Sequence, residues 1–187
     1  GDIKGQVNAA FSKKRFDILK LTAFGAIPKD MLDLGPKYIA DYMEKLLGEV
    51  MATGLETGFL NGGGSTQHQP IGLTKDVADN GGVSDKTSSG TLTFEPGATV
   101  VNEIKEVKKA LSKNAKGVSR KVDGKVTLVL NPSDVASVSA TSTVLTANGT
   151  YVTVIPGNIE IVESEVMTEG KALFFVKGQY VAGAGGK

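Results

Sequence analysis

The 187-residue sequence lacks several residue types on which enzymes and nucleic-acid-binding proteins commonly rely. It contains no cysteine, which excludes disulfides, thiolate metal ligands and cysteine nucleophiles. It also contains no tryptophan, and His68 is its single histidine, so no histidine pair is available for metal ligation. With 6% aromatic residues, a net charge of +1 and no basic stripe, stacking-based recognition of nucleic acid has no support.

Long hydrophobic runs are absent as well. No apolar stretch approaches the ~20 residues that a membrane span requires, and no basic-then-apolar leader opens the sequence. The 40% hydrophobic content is enough for a buried core in one domain or two small ones. The chain starts at Gly1 and finishes on Lys187 after a glycine-rich tail, and we interpret these as cut ends of a longer protein.

A long amphipathic helix is predicted over residues 36–60, directly after Gly35. Pro36 suits its first position. At 1.5 Å per residue the helix would be about 37 Å long, more than a small core needs, which indicates a framework element. The residues of its apolar face recur every three to four positions and are Ile39, Tyr42, Met43, Leu46, Leu47, Val50, Met51, Leu55 and Phe59.

Glycines within this helix need an explanation, since each costs about 1 kcal/mol relative to alanine. Gly54 and Gly58 are four residues apart and share a face, where another backbone could approach closely. Local tolerance or a kink at Gly48, Gly54 and Gly58 is the alternative. The acids near the helix, which we interpret as solvated or as partners in ion pairs between subunits, are Asp30, Asp33, Asp41, Glu44 and Glu49.

The glycine-rich segment 61–72 follows the helix. Gly62 to Thr66 superficially resembles a phosphate-binding loop, but the Walker pattern requires a lysine before the hydroxyl residue and a helix afterwards. Neither is present, so we predict a helix C-terminal cap and a turn that leads to Pro70. Catalysis by His68 is not expected, because no acid has a fixed sequence relation to it.

The remaining elements predict an α+β chain without internal repeats. A strand is expected over residues 16–27, followed by a short turn capped by Asp30. Residues 74–99 are polar, with a strand over 91–94, and provide the best domain boundary. We predict a helix over 99–114, strands over 125–130, 151–155, 159–162 and 172–176, a short helix over 135–138 capped by the 131–134 segment, and a hairpin turn at 148–150.

The order of these features resembles the major capsid proteins of tailed bacteriophages and prophages with the Hong Kong 97-type fold. The resemblance rests on a strand, a short acidic turn, a long helix and the segment FLNGGGSTQHQPIGL at residues 59–73. The family's glycine-rich segment is matched by Gly62, Gly64, Pro70 and Gly72. The resemblance implies a spine helix in an incomplete peripheral domain over 1–73 and an α+β axial domain over 74–187, with the returning peripheral strands missing after residue 187.

This resemblance implies a structural subunit that self-assembles into pentamers and hexamers around a viral genome. It implies no catalytic site, no metal and no cofactor. The implied partners are other copies of the chain, scaffolding, portal and maturation protease proteins, and DNA bound without specificity, with no membrane involved. The subunit would be made in the bacterial host cytoplasm and reside in the virion capsid. The residues expected to matter for structure or assembly are Gly54, Gly58, Asn61, Gly62, Gly64, Pro70 and Gly72.

Three alternatives remain at this stage. A host-encoded, encapsulin-like nanocompartment shell would share the fold but enclose enzymes. An anion- or nucleotide-binding enzyme would use the 62–66 loop. A phage tail or adhesin module would be all-β and would lack the long helix.

Overall fold

The structure is a computed structural model that describes residues 19–24, 26, 27, 29, 35–114, 117–153 and 155–180. The described residues form three α-helices and seven short β-strands, which confirms a mixed α+β architecture. The helices are α1 (Pro36–Asn61), α2 (Ala98–Leu111) and α3 (Pro132–Thr141). The strands are β1 (Lys75–Val77), β2 (Val83–Asp85), β3 (Val126–Leu130), β4 (Thr143–Leu145), β5 (Tyr151–Thr153), β6 (Glu160–Glu163) and β7 (Leu173–Val176).

Helix α1 confirms the predicted long helix to within one residue. It has 26 residues and begins with Pro36 directly after Gly35, whose φ of 90° only glycine adopts readily. The helix continues without a break through its internal glycines and is about 39 Å long. Its only buried residues are Gly58 and Leu60, near its C-terminal end. Most of α1 therefore lies outside the buried core, with part of its apolar face half-buried.

A three-stranded sheet in the order β6-β3-β7 forms the centre of the packed part. Strand β3 runs parallel to β6 and antiparallel to β7, with Leu128 opposite both Ile161 and Phe174. All five residues of β3 are buried, and Leu128 is 0% exposed. Burial on both faces of a strand requires that both faces of the sheet be covered.

The two faces are covered by different parts of the chain. One face packs against α2 and α3 through a core cluster of Phe94, Val100, Ile104, Leu128, Leu130 and Val138. On the other face, Leu60 at the end of α1 packs with Val129 and Met167. Alternate residues of β3 thus serve two cores, and the second core attaches the long helix to the sheet.

Helix α3 begins at the predicted cap. The Asn131 side chain accepts a hydrogen bond from the Ser133 backbone N–H at 3.0 Å, and its amide donates to the Met167 backbone oxygen at 2.9 Å. Pro132 occupies the first helical turn, where its missing N–H costs nothing. The helix therefore starts earlier and runs longer than the predicted 135–138.

Two hairpins complete the fold. Strands β4 and β5 pair antiparallel on either side of the predicted 148–150 turn, which confirms that prediction. Strands β1 and β2 pair around Asn80, Gly81 and Gly82, where the sequence had suggested only a flexible polar segment. The Asn80 side chain accepts a hydrogen bond from the Gly82 N–H at 2.9 Å, which closes this turn locally.

Two predicted strands are not formed in the described residues. Residues 19–24, 26 and 27 carry no strand, and the rest of the predicted 16–27 strand and the turn at Asp30 lie outside the described residues. Residues 91–94 are also not a strand. Instead, the backbone N–H groups of Thr93 and Phe94 donate to the Glu103 carboxylate at 2.7 and 3.0 Å, and Phe94 has a φ of 57°. The Glu103 side chain on α2 thus accepts the hydrogen bonds that the backbone of a neighbouring strand would accept.

Candidate assembly surface

The segment after α1 folds back and caps the C-terminal end of the helix. The backbone N–H of Leu73 donates to the Phe59 oxygen at 2.9 Å, and the N–H of Thr74 donates to the Leu60 oxygen at 2.9 Å. The N–H of Gly62 donates to the Gly58 oxygen at 3.0 Å. Carbonyl groups that a helix end leaves without partners are thereby satisfied. The predicted cap and turn are confirmed.

Close backbone approach explains two of the glycines singled out in the sequence. A Cβ atom at Gly62 would lie 2.2 Å from the Pro70 backbone oxygen, and one at Gly72 would lie 2.5 Å from the Leu60 oxygen. No side chain fits at either position without a shift of the backbone. At Gly64 the φ of 84° favours glycine, and the Val83 side chain packs against this position. These glycines let two backbone segments lie side by side beneath the helix end.

Gly54 and Gly58 also contact other parts of the chain closely. A Cβ atom at Gly54 would lie 3.2 Å from Leu21 Cδ1, and one at Gly58 would lie 3.1 Å from Pro70 Cγ. The predicted close packing is present, but side chains occupy these positions and not a second backbone. Gly48 has nothing within 4 Å of such an atom. A contribution of Gly54 and Gly58 to subunit assembly stays a prediction.

Two polar contacts attach the glycine-rich segment to the C-terminal part of the chain. The Asn61 amide donates to the Val166 backbone oxygen at 2.8 Å, and its oxygen lies 3.1 Å from the Thr74 hydroxyl. The Tyr180 hydroxyl donates to the Ile71 backbone oxygen at 3.1 Å, and burial raises the pKa of this hydroxyl. The sequence had indicated Asn61 but gave no signal for Tyr180, which lies more than a hundred residues away.

The geometry of the segment does not suit a phosphate group. It lies at the C-terminal end of a helix, where the helix dipole is negative and repels anions. The N–H groups of Gly62, Gly64, Gln67, His68 and Gln69 already donate to backbone oxygens, and that of Gly63 donates to the Gln69 side chain. The nucleotide-binding alternative is therefore not favoured.

The other candidate side chains form no reactive centre in the described part of the chain. His68 is exposed and has a φ of 53°. Asp41 pairs with Lys37 at 2.7 Å and Glu49 with Lys45 at 4.0 Å, both in exposed helical positions, while Asp30 and Asp33 lie outside the described residues. No group of three or more histidines and acids within the described ranges could hold a metal ion. The described helices include none that is long and apolar enough to cross a membrane.

Helix α1 carries four of the large apolar side chains that are exposed in the described structure. Met51 is 44% exposed and Leu55 is 46% exposed, and Tyr38 and Val50 are comparably accessible. Such a surface on one chain is typical of a protein that buries it against another. The predicted apolar face of the helix is thus only partly used within the chain.

A groove lies beside this exposed face, between the C-terminal half of α1 and the outer face of the central sheet. Its volume is about 360 Å³, and its apolar lining includes Leu55, Phe59, Val129, Val162 and Phe175. Sequence reasoning did not identify this groove, since no local motif connects residues of α1 to strands that begin only at Val126 and later.

Ion pairs stabilise charged residues around the sheet. A hydrogen bond and the charge of Lys177 hold the pKa of the Glu160 carboxyl below its ordinary value. Lys108 lowers the pKa of Asp123 in the same way and also donates to the Gly157 backbone oxygen at 2.9 Å. These contacts are structural and lie away from the 61–72 segment.

Comparison with known proteins supplies the family. A model described as the Phage capsid family matches residues 2–176. No curated protein and no solved structure gives a significant match to the chain. A long exposed helix, a capped glycine-rich turn and an apolar groove agree with a protein that works by contact with other copies. The chain belongs to the phage capsid family and is a structural protein of the virion capsid.

Proposed function

We propose that this protein is the shell-forming subunit of a capsid with the Hong Kong 97-type fold, which assembles into pentamers and hexamers that enclose the viral genome. The observation that carries the proposal is the exposure of α1. A helix of 26 residues buries only Gly58 and Leu60 within its own chain. Its exposed apolar side chains are accounted for if neighbouring subunits cover them.

In this proposal α1 is the spine of a peripheral domain that spans residues 1–73. Residues 74–187 form the axial domain around the β6-β3-β7 sheet. The 61–72 segment acts as the fixed junction between the two domains, because backbone and side-chain hydrogen bonds hold both of its ends. The residues that we propose for the structure and assembly of the subunit are Gly54, Gly58, Asn61, Gly62, Gly64, Pro70 and Gly72.

The mechanism is repeated association of many copies with no chemical step. Each contact between subunits is modest, but closed symmetry multiplies it over the whole shell. The charge of +1 fits DNA that is packaged without sequence-specific contacts. Scaffolding, portal and maturation protease proteins are the further partners, and synthesis takes place in the bacterial host cytoplasm.

Electron microscopy of the full-length protein, expressed alone and with its neighbouring genes, tests the proposal. We expect closed, uniform shells built of five-fold and six-fold clusters. Particles from infected cells should contain nuclease-protected DNA. A persistent monomer under all conditions would contradict shell formation. Shells that contain enzymes and no DNA would contradict genome enclosure and support a nanocompartment.

A further inference from the structure

We infer that the hairpin of β4 and β5, residues 143–153, packs against the same hairpin of neighbouring copies of this chain, close to a symmetry axis of the assembly. The inference rests on the proposed function because it takes self-assembly as given, and it specifies a surface of each copy that meets itself. Three observations carry it: the hairpin exposes apolar side chains, its strands have no further strand partner, and its surface is free of charge.

The hairpin exposes three large apolar side chains. Tyr151 is 73% exposed, Leu145 is 59% exposed and Val152 is 41% exposed. Leu145 lies directly opposite Tyr151 in the ladder, and residues opposite each other on antiparallel strands have their side chains on the same face. Leu145 and Tyr151 therefore form one apolar patch. Tyrosine is enriched in protein–protein interfaces, where it supplies both apolar area and a hydroxyl group.

The strands of the hairpin pair only with each other among the described residues. An edge strand presents N–H and C=O groups to which another strand can bind, and proteins that avoid such contacts place charges or prolines there. Residues 143–153 include neither. The hairpin of β1 and β2 is different, since it carries two ion pairs, one between Lys75 and Asp85 and one between Lys86 and Asp76. Only the β4 and β5 hairpin of the two thus lacks this protection.

The absence of charge extends beyond the hairpin. Between Asp134 and Glu160 the sequence contains no lysine, arginine, histidine, aspartate or glutamate, although charged residues make up 22% of the chain. The exposed residues of α3 within this stretch are small and neutral, and they are Ala136, Ser137, Ala140 and Thr141. A highly charged partner such as DNA would be matched by opposite charges on the protein. This surface therefore suits a partner that is equally neutral.

A second copy of the same surface meets that requirement. In a closed symmetric assembly, a residue close to a symmetry axis lies near the same residue of a neighbouring copy. Any charge there would face an identical charge, and like charges placed opposite each other destabilise a contact. A contact between two different surfaces has no such restriction, because it can use ion pairs. The neutral stretch is therefore what contact of this surface with itself requires.

The hairpin is held in shape within its own chain. The Thr146 N–H donates to the Thr150 backbone oxygen at 2.8 Å across the turn. The hydroxyl groups of Thr143 and Thr153 lie 2.8 Å apart at the other end of the ladder. Ser142, directly before β4, is 1% exposed and attaches the hairpin to the core. A preformed surface loses less conformational entropy on binding than a flexible one.

Introduction of a single charge in the full-length protein tests the inference. We expect Tyr151→Asp and, separately, Tyr151→Lys each to weaken subunit association by about tenfold or more, because every copy then presents the same charge to its neighbours. Ala147→Asp and Ala147→Lys in the exposed turn repeat the test without loss of the tyrosine ring. The matched controls are Ser84→Asp and Ser84→Lys, at an exposed position of β2 in the other hairpin. Sedimentation and electron microscopy should show assembly of the controls at the wild-type level, and urea denaturation checks that each variant folds.

Mixing the aspartate and lysine variants in equal amounts distinguishes contact of the hairpin with itself from contact with a different surface. In a self-contact the opposite charges become neighbours, so we expect assembly to return toward the wild-type level. If the hairpin contacts another surface or another protein, mixing leaves the defect in place, which would overturn the inference. Wild-type assembly of the separate charged variants would also overturn it while leaving the proposed function intact. Failure of the wild-type protein to assemble would overturn both.

Cross-linking through one introduced cysteine provides a second, independent measurement, since the chain has no cysteine of its own. We expect assembled Ala147→Cys particles, treated with a short thiol-specific cross-linker, to give covalent dimers on denaturing gels. No larger product is expected, because each copy carries one thiol. Ser84→Cys is the control and should remain monomeric on the same gels. Absence of dimers from assembled Ala147→Cys particles would overturn the inference.

Discussion

The side-chain amide of Asn61 donates a hydrogen bond to the backbone oxygen of Val166 at 2.8 Å, across 105 positions of the sequence. Its oxygen lies 3.1 Å from the Thr74 hydroxyl, so the last residue of α1 connects three segments of the chain. Together with Leu60 packed between Val129 and Met167, this contact attaches the long helix to the central sheet. The orientation of α1 relative to the sheet depends on this small area.

Replacement of Asn61 by leucine tests that dependence. The substitution keeps the size of the side chain but removes its donor and acceptor, which leaves the Val166 oxygen without this partner. We expect the free energy of unfolding to fall by about 1 to 3 kcal/mol in urea denaturation. The matched control is Asn102→Leu at an exposed position of α2, which should change stability by less than about 0.5 kcal/mol. Equal effects of the two substitutions would contradict the role assigned to Asn61.

Replacement of Gly72 by alanine tests the close approach below the helix end. The new Cβ atom would lie 2.5 Å from the Leu60 oxygen, so the backbone must shift and the cap on α1 must weaken. We expect a loss of about 2 kcal/mol or more in thermal or chemical unfolding. Gly48→Ala within α1 is the control, because nothing lies within 4 Å of a Cβ atom at that position. At Gly48 the gain in helix propensity should stabilise the protein by about 1 kcal/mol. A larger loss of stability for Gly48→Ala than for Gly72→Ala would refute the close approach as the explanation.

We predict that replacement of Glu103 by glutamine changes the stability of the fold in a way that depends on pH. Partial burial tends to raise the pKa of this carboxyl, but hydrogen bonds from the Thr93 and Phe94 backbone and the Thr93 hydroxyl outweigh burial and lower the pKa. A carboxyl with a lowered pKa in the folded state stabilises the fold above its unfolded pKa of about 4.5, and this contribution is lost as the pH falls through the folded value.

We therefore expect Glu103→Gln to reduce stability by about 1 to 2 kcal/mol at pH 7, with the difference from wild type shrinking as the pH falls below about 4.5 and through the lower folded value. Urea denaturation of both proteins at several pH values measures this difference in stability. Glu106→Gln, which removes only exposed contacts to Lys105 and Lys109, should cost less than about 0.5 kcal/mol. A difference for Glu103→Gln that stays constant with pH would show that the charge of this carboxylate is not the cause.

Replacement of Val50 and Met51 by serine separates folding from assembly. Both side chains are exposed on α1, so the stability of the isolated subunit should change by less than about 1 kcal/mol. If neighbouring subunits cover this face, shell yield should fall by about tenfold or more as the buried apolar area is lost. Val101→Ser on α2 is the control for an exposed valine in a helix. Normal shells from the double variant would show that neighbouring subunits do not depend on this face of α1 for assembly.

Local sequence patterns predicted the elements that carry their own signal. Helix α1 has a proline at its start, a glycine-rich end and a periodic apolar face, and it was placed to within one residue. Helix α2 was expected over 99–114 but ends at Leu111, because Lys113 pairs with Ser119 in the hairpin that follows. Strand β3 was found from its continuous apolar run, which is typical of a strand buried on both faces.

Two predicted strands failed because strand formation depends on a partner that the local pattern does not contain. Residues 19–24 have apolar side chains that suit a strand, but Leu21 packs over Gly54 of α1 without any strand pairing in this segment. Residues 91–94 lose their strand because the Glu103 carboxylate binds their N–H groups. In the second case the outcome was decided by hydrogen bonds that the backbone donates to a side chain of α2.

The sequence by itself determined the α+β class, the long helix, its cap at 61–72 and the poor supply of catalytic side chains, since these depend on residues near one another in the chain. Only the tertiary structure decided that, of α1, only residues near its C-terminal end are buried, that Asn61 donates to Val166, and that an acidic cavity adjoins the groove beside α1. These features join residues that lie far apart in the sequence, such as Asn61 and Val166, which are 105 positions apart. Their physical cause is the packing of both faces of the β6-β3-β7 sheet, which brings those residues together.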